Sequence, residues 1–230
     1  KDLINQKLLG DIISFNFEML QQTYVYNKSK ITKWRKKDYS IPTLYLDLCS
    51  HLTNISKFLF NVYPINVMSF STKSKKFKVI DNVYTWLKFK NKMLGTFWFS
   101  KNSLGQRNEL KLRIYGTNSS LEWNHSKPEN ITIFHKNGKI ETIDRLSPKI
   151  NSLKKQRYFT YSAGHPNGFL DAFANLYSDI YDELIKYKSN KKTNYKYLVD
   201  IKENINIISI LNSIKLSSKS NKWTKTKLIK

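Results

Sequence analysis

The sequence predicts an α+β fold in which a mostly antiparallel, open β-sheet carries helices packed on one face. Two observations predict it. Residues 65–143 form a series of short segments rich in aromatic and β-branched residues and separated by short turns, which is typical of antiparallel strands. Two longer segments, at 43–60 and 167–188, repeat apolar residues at helical spacing. Because the chain shows no internal repeat, we expect a single domain over residues 1–230.

The first elements follow from composition and from the placement of glycine and proline. Residues 1–9 are predicted to contain the end of a helix that Gly10 terminates. Ile12–Val25 is a predicted strand because aromatic and β-branched residues are frequent in it. A basic loop, Lys28–Ser40, comes next, and Pro42 then stands where proline favours the start of a helix.

Thr43–Phe60 is predicted to be one amphipathic helix. Its apolar stripe consists of Leu44, Leu48, Leu52, Ile55 and Leu59. Asp47 and His51 are four residues apart, so they are neighbours on the helix, at the edge of this stripe. A carboxylate in that position can orient an imidazole and stabilise its charged form, as proton transfer requires. The alternative is a surface pair that stabilises the helix by a few tenths of a kcal/mol.

The central strands are predicted at Ile65–Thr72, Val79–Phe89, Met93–Ser100, Glu109–Tyr115, Ser120–Trp123, Ile131–His135 and Lys139–Ile143. Asn91-Lys92 and Asn137-Gly138 are predicted hairpin turns, because asparagine and glycine tolerate positive φ. The second and third of these strands carry aromatic residues on both faces. The domain's own helices can cover one face only, so we expect self-association through the other.

Two further helices are predicted near the end of the chain. Asn167–Lys188 has an apolar stripe, an acidic first turn and lysines in its last turn, in agreement with the helix dipole. His165 immediately precedes it. Asp200–Leu216 is the third predicted helix, and the basic segment 217–230 is expected to be a loosely ordered tail.

Composition narrows the function classes. The formal charge is +23, but only five of the forty basic residues are arginines, and the lysines are spread along the whole chain. No helix-turn-helix, zinc-finger or RNA-binding motif accompanies them, so we do not expect nucleic acid as the main partner. A single cysteine and scattered histidines predict neither a disulfide nor a metal site. Without a signal peptide or a long apolar run, a cytoplasmic protein is expected.

An ordered set of short motifs resembles the C-terminal domain of the Gfo/Idh/MocA family of NAD(P)-dependent oxidoreductases, which is named for glucose–fructose oxidoreductase and inositol dehydrogenase. The motifs are Leu9-Gly10-Asp11, Trp34-Arg35, Asp47-Leu48-Cys49-Ser50-His51, Leu110–Gly116, Ser120–Trp123 and Gly164–Phe169. The resemblance covers nearly the whole chain. Cys49 departs from the glycine that is usual in the family, but it leaves the Asp and His of the motif in place.

The resemblance implies roles for five residues. His51 would exchange the proton of a substrate hydroxyl, and Asp47 would orient it and balance its charge. Arg35, with Trp34 and His165, would bind the substrate, a sugar, a polyol or a related secondary alcohol. The alternatives are that Arg35 is a surface charge and that His165 is a loop histidine bonded to the backbone. The resemblance also implies NAD or NADP as cofactor, no metal, and a homo-oligomer that associates through the sheet face.

The chain lacks the motifs that bind a dinucleotide. None of its seven glycines gives the G-x-G-x-x-G spacing that lets a helix N-terminus approach a pyrophosphate. The Glu-Lys-Pro motif of the family's cofactor domain is also absent. The sequence therefore predicts the substrate half of an oxidoreductase, inactive by itself. Two alternatives remain, a stand-alone, non-enzymatic binding or assembly module of the same fold and, less favoured, a basic nucleic-acid binder.

Overall fold

The computed structural model describes residues 1–26, 30–150, 161–162, 164–165, 167–193 and 197–229. The strands in these ranges are β1 (Ile12–Gln21), β2 (Asn66–Lys73), β3 (Ile80–Lys88), β4 (Leu94–Ser100), β5 (Arg107–Gly116), β6 (Ser119–Asn124), β7 (Ile131–His135), β8 (Ile140–Ile143) and β9 (Thr224–Lys225). The α-helices are α1 (Asp2–Asn5), α2 (Ser50–Phe60), α3 (Phe169–Lys188) and α4 (Ile201–Ser220). A 3-10 helix (Lys33–Lys36) and a π-helix (Tyr45–Cys49) precede α2.

The strands form one open sheet in the order β8-β7-β6-β5-β1-β4-β3-β2-β9. Among the strand pairs of the described residues, β1 and β4 are parallel and the others are antiparallel. The predicted α+β fold with a mostly antiparallel open sheet is confirmed. β1 and β4 can be parallel because the connection between them is long. It contains α2 and the β2–β3 hairpin.

Helices α2 and α4 cover one face of the sheet, and the core lies between them and the strands. The strands contribute four buried phenylalanines, Phe15, Phe17, Phe97 and Phe99. The helical side contributes Leu48, Leu52, Ile210, Leu211 and Ile214. On the opposite face, Phe70, Tyr84 and Trp86 remain exposed. Tyr84 stacks on Trp98 of the neighbouring strand, with ring centroids 5.1 Å apart.

The end of the chain is more ordered than predicted. Helix α4 continues to Ser220, and Ser217, which is fully buried, donates to the carbonyl of Lys222 at 2.7 Å. Strand β9 pairs with the edge strand β2. The hydroxyl of the buried Thr226 donates to the carbonyl of Pro64 at 2.6 Å. A loosely ordered tail over 217–230 is therefore wrong for the part of this segment that the structure describes, because it adds a strand to an open edge.

Two elements near the candidate site differ in detail from the predictions. The strand predicted over Ile12–Val25 ends at Gln21, and a turn follows in which the amide of Tyr24 donates to the carbonyl of Lys101 at 2.8 Å. The helix predicted over Thr43–Phe60 keeps both of its predicted ends, but Tyr45–Cys49 within it form the π-helix, which continues into α2 at Ser50. Short π-helical turns within helices are frequent at functional sites.

Helix α3 forms as predicted, but its apolar stripe is not buried. Phe169 is 63% exposed and Leu184 is 56% exposed, whereas Glu183 is the buried residue of this helix. The pattern identified the helix because it repeats at helical spacing. It could not show that no described part of the chain covers that face.

Candidate functional site

The π-helix places the carboxylate of Asp47 against the guanidinium of Arg35. Arg35 Nε donates to Oδ2 at 2.9 Å, and Nη2 donates to Oδ1 at 3.2 Å. This two-nitrogen geometry matches the planar fork of arginine to both oxygens of a carboxylate. The side chain of Asp47 is 16% exposed and that of Arg35 is 34% exposed, so the pair is partly buried.

A second cation reaches the same carboxylate from the sheet. Lys101 follows the last residue of β4, and its Nζ contacts Oδ2 of Asp47. Its side chain is only 1% exposed. Sequence reasoning missed Lys101 because it lies 54 residues after Asp47. The one available signal was a lysine at the end of an apolar strand that continues Phe97, Trp98 and Phe99.

Burial and charge act against each other on these groups. Burial raises the pKa of the Asp47 carboxyl, but the bonds from Arg35 and Lys101 outweigh it, so the pKa lies below its ordinary value. Burial lowers the pKa of Lys101, and Asp47 opposes that shift. The bond to Asp47 raises the pKa of Arg35. Asp47 is therefore ionised over the whole neutral range.

The turn that carries Trp34 and Arg35 is fixed by its backbone. The hydroxyl of the buried Tyr24 donates to the carbonyl of Arg35 at 2.6 Å. The Arg35 guanidinium lies over the Trp34 ring, 4.5 Å from its centroid. Trp34 is 44% exposed. The structure thus brings these two predicted substrate-binding residues together beside Asp47, with an aromatic ring and part of a guanidinium facing solvent.

Asp38 attaches the same turn to the sheet. Its two carboxylate oxygens accept the amides of Thr43 at 3.0 Å and of Ile80 at 2.9 Å. The side chain of Asp38 is therefore bonded to the backbone, whereas the carboxylate of Asp47, in the π-helix, binds the side chains of Arg35 and Lys101.

His51 is exposed on α2, and no hydrogen bond or ion pair between it and Asp47 is seen in the described part of the chain. The expected contact between the two is therefore not formed. Asp47 lies in the π-helix, where hydrogen bonds span five residues, whereas His51 lies in the α-helix that follows. Two cations also bind a carboxylate more strongly than a neutral imidazole does.

His165 is exposed, and its contacts are with residues other than Asp47. Its Nδ1 is 3.2 Å from the carbonyl of Ser162, a local backbone interaction. Arg145 Nη2 donates to the carbonyls of Ser162 at 3.1 Å and His165 at 3.0 Å, which holds this segment. No bond between His165 and Arg35, Asp47 or His51 occurs within the described ranges, so the structure does not join all five predicted site residues.

A cavity of about 740 Å³ opens between α2, the start of α3 and the start of α4. Its polar wall includes Asn54, Lys57, Glu129, Arg145, Asp171 and Glu203. Neither Asp47 nor His51 lines it, but His51 lies one turn before Asn54 on the same face of α2. The face of the helix that exposes His51 therefore continues into this cavity.

The described residues offer few other candidates for a functional site. In the described ranges, no group of three or more His, Cys, Asp or Glu side chains is arranged to hold a metal ion. No helix of the described residues is long and apolar enough to cross a membrane. Cys49 is fully buried, and burial raises the pKa of its thiol. It fills space in the π-helix where the family usually has glycine.

Comparisons with known proteins agree with this fold. The chain is 27% identical over 188 residues to an uncharacterized oxidoreductase, YfiI of Bacillus subtilis (strain 168), covering 76% of this chain and 47% of the relative. An inositol dehydrogenase homolog from Azotobacter vinelandii, solved with NADH and myo-inositol, has a TM-score of 0.83 at 18% identity, over 97% of this chain and 59% of that one. Levoglucosan dehydrogenase, solved with NADH and L-sorbose, has a TM-score of 0.80 at 16% identity, over 100% of this chain and 62% of that one.

The chain thus spans about half of the curated relative and about three fifths of each of these solved chains. The family described as "Oxidoreductase family, C-terminal alpha/beta domain" matches residues 1–226. The chain therefore belongs to the Gfo/Idh/MocA oxidoreductase family and corresponds to its C-terminal domain.

Proposed function

We propose that this chain is the substrate-binding half of an NAD(P)-dependent oxidoreductase that acts on a sugar, a polyol or a related secondary alcohol. What supports this function above all is the arrangement at the start of α2. There, an ionised carboxylate held by Arg35 precedes an exposed histidine by four residues. Trp34 lies exposed beside the Arg35 guanidinium that binds this carboxylate. A hydroxylated substrate that rests on this surface meets a proton acceptor, hydrogen-bond donors and an aromatic ring.

In the proposed reaction, His51 accepts the proton of the substrate hydroxyl as the carbinol C–H bond breaks. An imidazole suits this step because it gains and loses a proton near neutral pH. Asp47 holds the Arg35 guanidinium at this surface, and the charge of the carboxylate is balanced by Arg35 and Lys101. Arg35 donates hydrogen bonds from the guanidinium edge that Asp47 leaves uncovered.

The hydride acceptor belongs to a part of the enzyme outside this chain. A nicotinamide cofactor, when bound, takes up the hydride that leaves the carbinol carbon. This chain offers no fitting cradle for its phosphates, because the glycines lack the required spacing. The single parallel strand pair of the described sheet, β1–β4, has no glycine-rich turn leading directly from a strand into a helix. We infer that a separate nucleotide-binding domain holds the cofactor.

The substrate class follows from the chemistry of the surface. The cavity that lies beside α2 is lined by amide, guanidinium, ammonium and carboxylate groups, which donate to and accept from hydroxyl groups. The structural neighbours solved with myo-inositol and L-sorbose bind compounds of this kind. A polyhydroxylated ring or chain is therefore the substrate that we propose for this chain as well.

We also propose that the chain self-associates through the open face of the sheet. Phe70, Tyr84 and Trp86 are each about two fifths to one half exposed there. Phe70 packs edge to face on Trp86, with centroids 5.8 Å apart. An aromatic surface of this kind is usually covered by a partner, and a second copy would present the same surface.

Coexpression tests the proposed function. The chain is produced together with the polypeptide encoded directly upstream of it, and nicotinamide reduction is followed by absorbance with a panel of polyols, sugars and simple secondary alcohols. Reduction that requires both polypeptides and a polyol or sugar supports the proposal. If the upstream region encodes no nucleotide-binding domain and no alcohol is oxidised, the chain is a non-enzymatic binding or assembly module.

A further inference from the structure

The most unusual feature of the described residues is the buried lysine beneath Asp47. Lys101 is 1% exposed, and Asp47 is the carboxylate that its ammonium contacts. Lysines are almost never buried unless they are paired. Burying an ammonium costs several kcal/mol, and its attraction to a carboxylate offsets that cost only where the geometry is good. A lysine in this position therefore has a strong effect on the carboxylate above it.

The backbone of Lys101 is fixed on both sides. Its amide donates to the carbonyl of Asp81 at 2.8 Å, and its carbonyl accepts the amide of Tyr24 at 2.8 Å. Asp81 is itself buried and accepts from the side chains of Thr72 at 2.8 Å and Asn102 at 3.0 Å. The ammonium is consequently delivered from a rigid part of the sheet, at the ends of β1 and β4.

The charged and titratable groups around Asp47 come from three elements. Arg35 approaches from the 3-10 helix, Lys101 from the end of β4, and Tyr24 from the turn after β1. Burial, with the nearby carboxylates Asp38 and Asp47, raises the pKa of Tyr24 to about 12, so this phenol is neutral at physiological pH. Arg35 keeps its charge at all relevant pH values. Lys101 is therefore the group whose removal changes the environment of Asp47 without removing a residue that faces solvent.

We propose that Lys101 is a positioning residue of this site, which holds the Asp47 carboxylate in its ionised form and directs it toward Arg35. Lys101 does not touch substrate, because its side chain is buried. It acts through Asp47, which in turn orients the guanidinium of Arg35 beside Trp34. The inference rests on the proposed function, since it assigns Lys101 a place in the machinery of that reaction.

The test compares Lys101→Met with Lys111→Met. Methionine keeps the length of the chain and removes the charge. Lys111 is a matched control because it lies on β5 and pairs with a carboxylate, that of Glu122, at 3.2 Å with partial exposure. Carbon-detected NMR of the carboxyl groups follows the titration of Asp47 in the 230-residue chain. We expect the Asp47 titration to move to higher pH in Lys101→Met and to stay in place in Lys111→Met.

In the enzyme completed by its nucleotide-binding domain, Lys101→Met should lower kcat about tenfold to a hundredfold, as outer partners of functional side chains typically do. The part of the acidic limb that reports protonation of Asp47 should move to higher pH together with the Asp47 titration. A purely structural role would lower the amount of folded enzyme without moving that limb.

The proposal is overturned if the Asp47 titration is the same in Lys101→Met and wild type. If Lys101→Met does not fold, the wild-type titration decides, since an Asp47 pKa at or above the ordinary value excludes control by Lys101. A loss of the proposed function has a different signature. In that case His51→Ala leaves kcat unchanged, whatever the Asp47 titration shows.

Discussion

Arg35 binds Asp47 through two nitrogens, at 2.9 and 3.2 Å, and thereby joins the 3-10 helix to the π-helix that precedes α2. This bond fixes the position of the Asp47 carboxylate. It holds the carboxylate beside the turn that exposes Trp34. Asp47 therefore connects the residues proposed to bind substrate with the helix that carries the proposed proton acceptor.

Asp47→Asn should destabilise the chain at neutral pH by roughly 3 kcal/mol, the lower end of the range for a buried charge left without its partner. The folded-state pKa of Asp47 is lowered, so its contribution is fully present above the unfolded value of about 3.9. The contribution is lost as the pH falls through the folded-state pKa. The difference between variant and wild type should therefore shrink below about pH 4.

Urea denaturation of both proteins over a pH series measures this difference. Glu122→Gln is the control, because Glu122 forms half-exposed ion pairs with Lys111 and Arg113 and should cost less than about 1 kcal/mol. A cost for Asp47→Asn that does not change between pH 7 and pH 3 would contradict the assigned ion cluster.

Gly95→Ala should destabilise the sheet by about 1–3 kcal/mol, as overpacking of a core does. A Cβ at Gly95 would lie 2.2 Å from Cζ of Phe15, which is fully buried on the neighbouring strand. The rings of Phe17 and Phe60 lie within 5 Å of the Phe15 ring and leave it little room to move. Leu94→Ala is the control, because Leu94 is about half exposed. Equal thermal midpoints for the two variants would contradict this packing.

The sequence predicted the fold well where pattern and burial agree. The alternation in Glu109–Tyr115 and the turn at Asn137-Gly138 led to strands β5, β7 and β8, because one face of each strand is buried and the turn chemistry is local. Helix α3 was predicted from an apolar stripe, but spacing along one helix cannot show what covers that stripe. The strand β9 was missed because a two-residue strand has no pattern of its own.

The site was predicted only in part, because some of its residues are close in sequence and others come together only in the fold. Spacing within one helix identified Asp47 and His51, and the resemblance to the family added Trp34 and Arg35. Lys101 could not be found in this way, since its contact with Asp47 depends on how the end of β4 is placed relative to the π-helix. Without that contact, the carboxylate appeared available to His51.

The isolated chain should not bind NAD(H) or NADP(H) with useful affinity, because it has no glycine-rich motif to receive the pyrophosphate. Titration calorimetry and nicotinamide fluorescence on the purified chain measure this binding. The coexpressed two-part enzyme is the positive control. Saturable binding in the micromolar range by the chain alone would contradict the division into a substrate half and a cofactor half.

The chain should self-associate in solution, and Trp86→Lys should weaken the association, since it places a charge in the exposed aromatic surface of the sheet. Light scattering at tens of micromolar and moderate salt measures the mass. Leu104→Lys adds the same charge at an exposed position outside the strands and should leave the mass unchanged. A wild-type chain that is monomeric under these conditions would count against the sheet interface.

The most direct test of the whole account is kcat of the two-part enzyme carrying His51→Ala. His51 is exposed, so the substitution should change the free energy of unfolding by less than about 0.5 kcal/mol, which makes it a cleaner probe than Asp47→Asn. His125→Ala is the control, because that histidine lies after β6 and stacks on Trp123. We predict that His51→Ala lowers kcat roughly 10²–10⁴-fold, whereas His125→Ala leaves it unchanged. A near-normal kcat in the His51→Ala enzyme would show that this histidine does not transfer the proton and would contradict the proposed function.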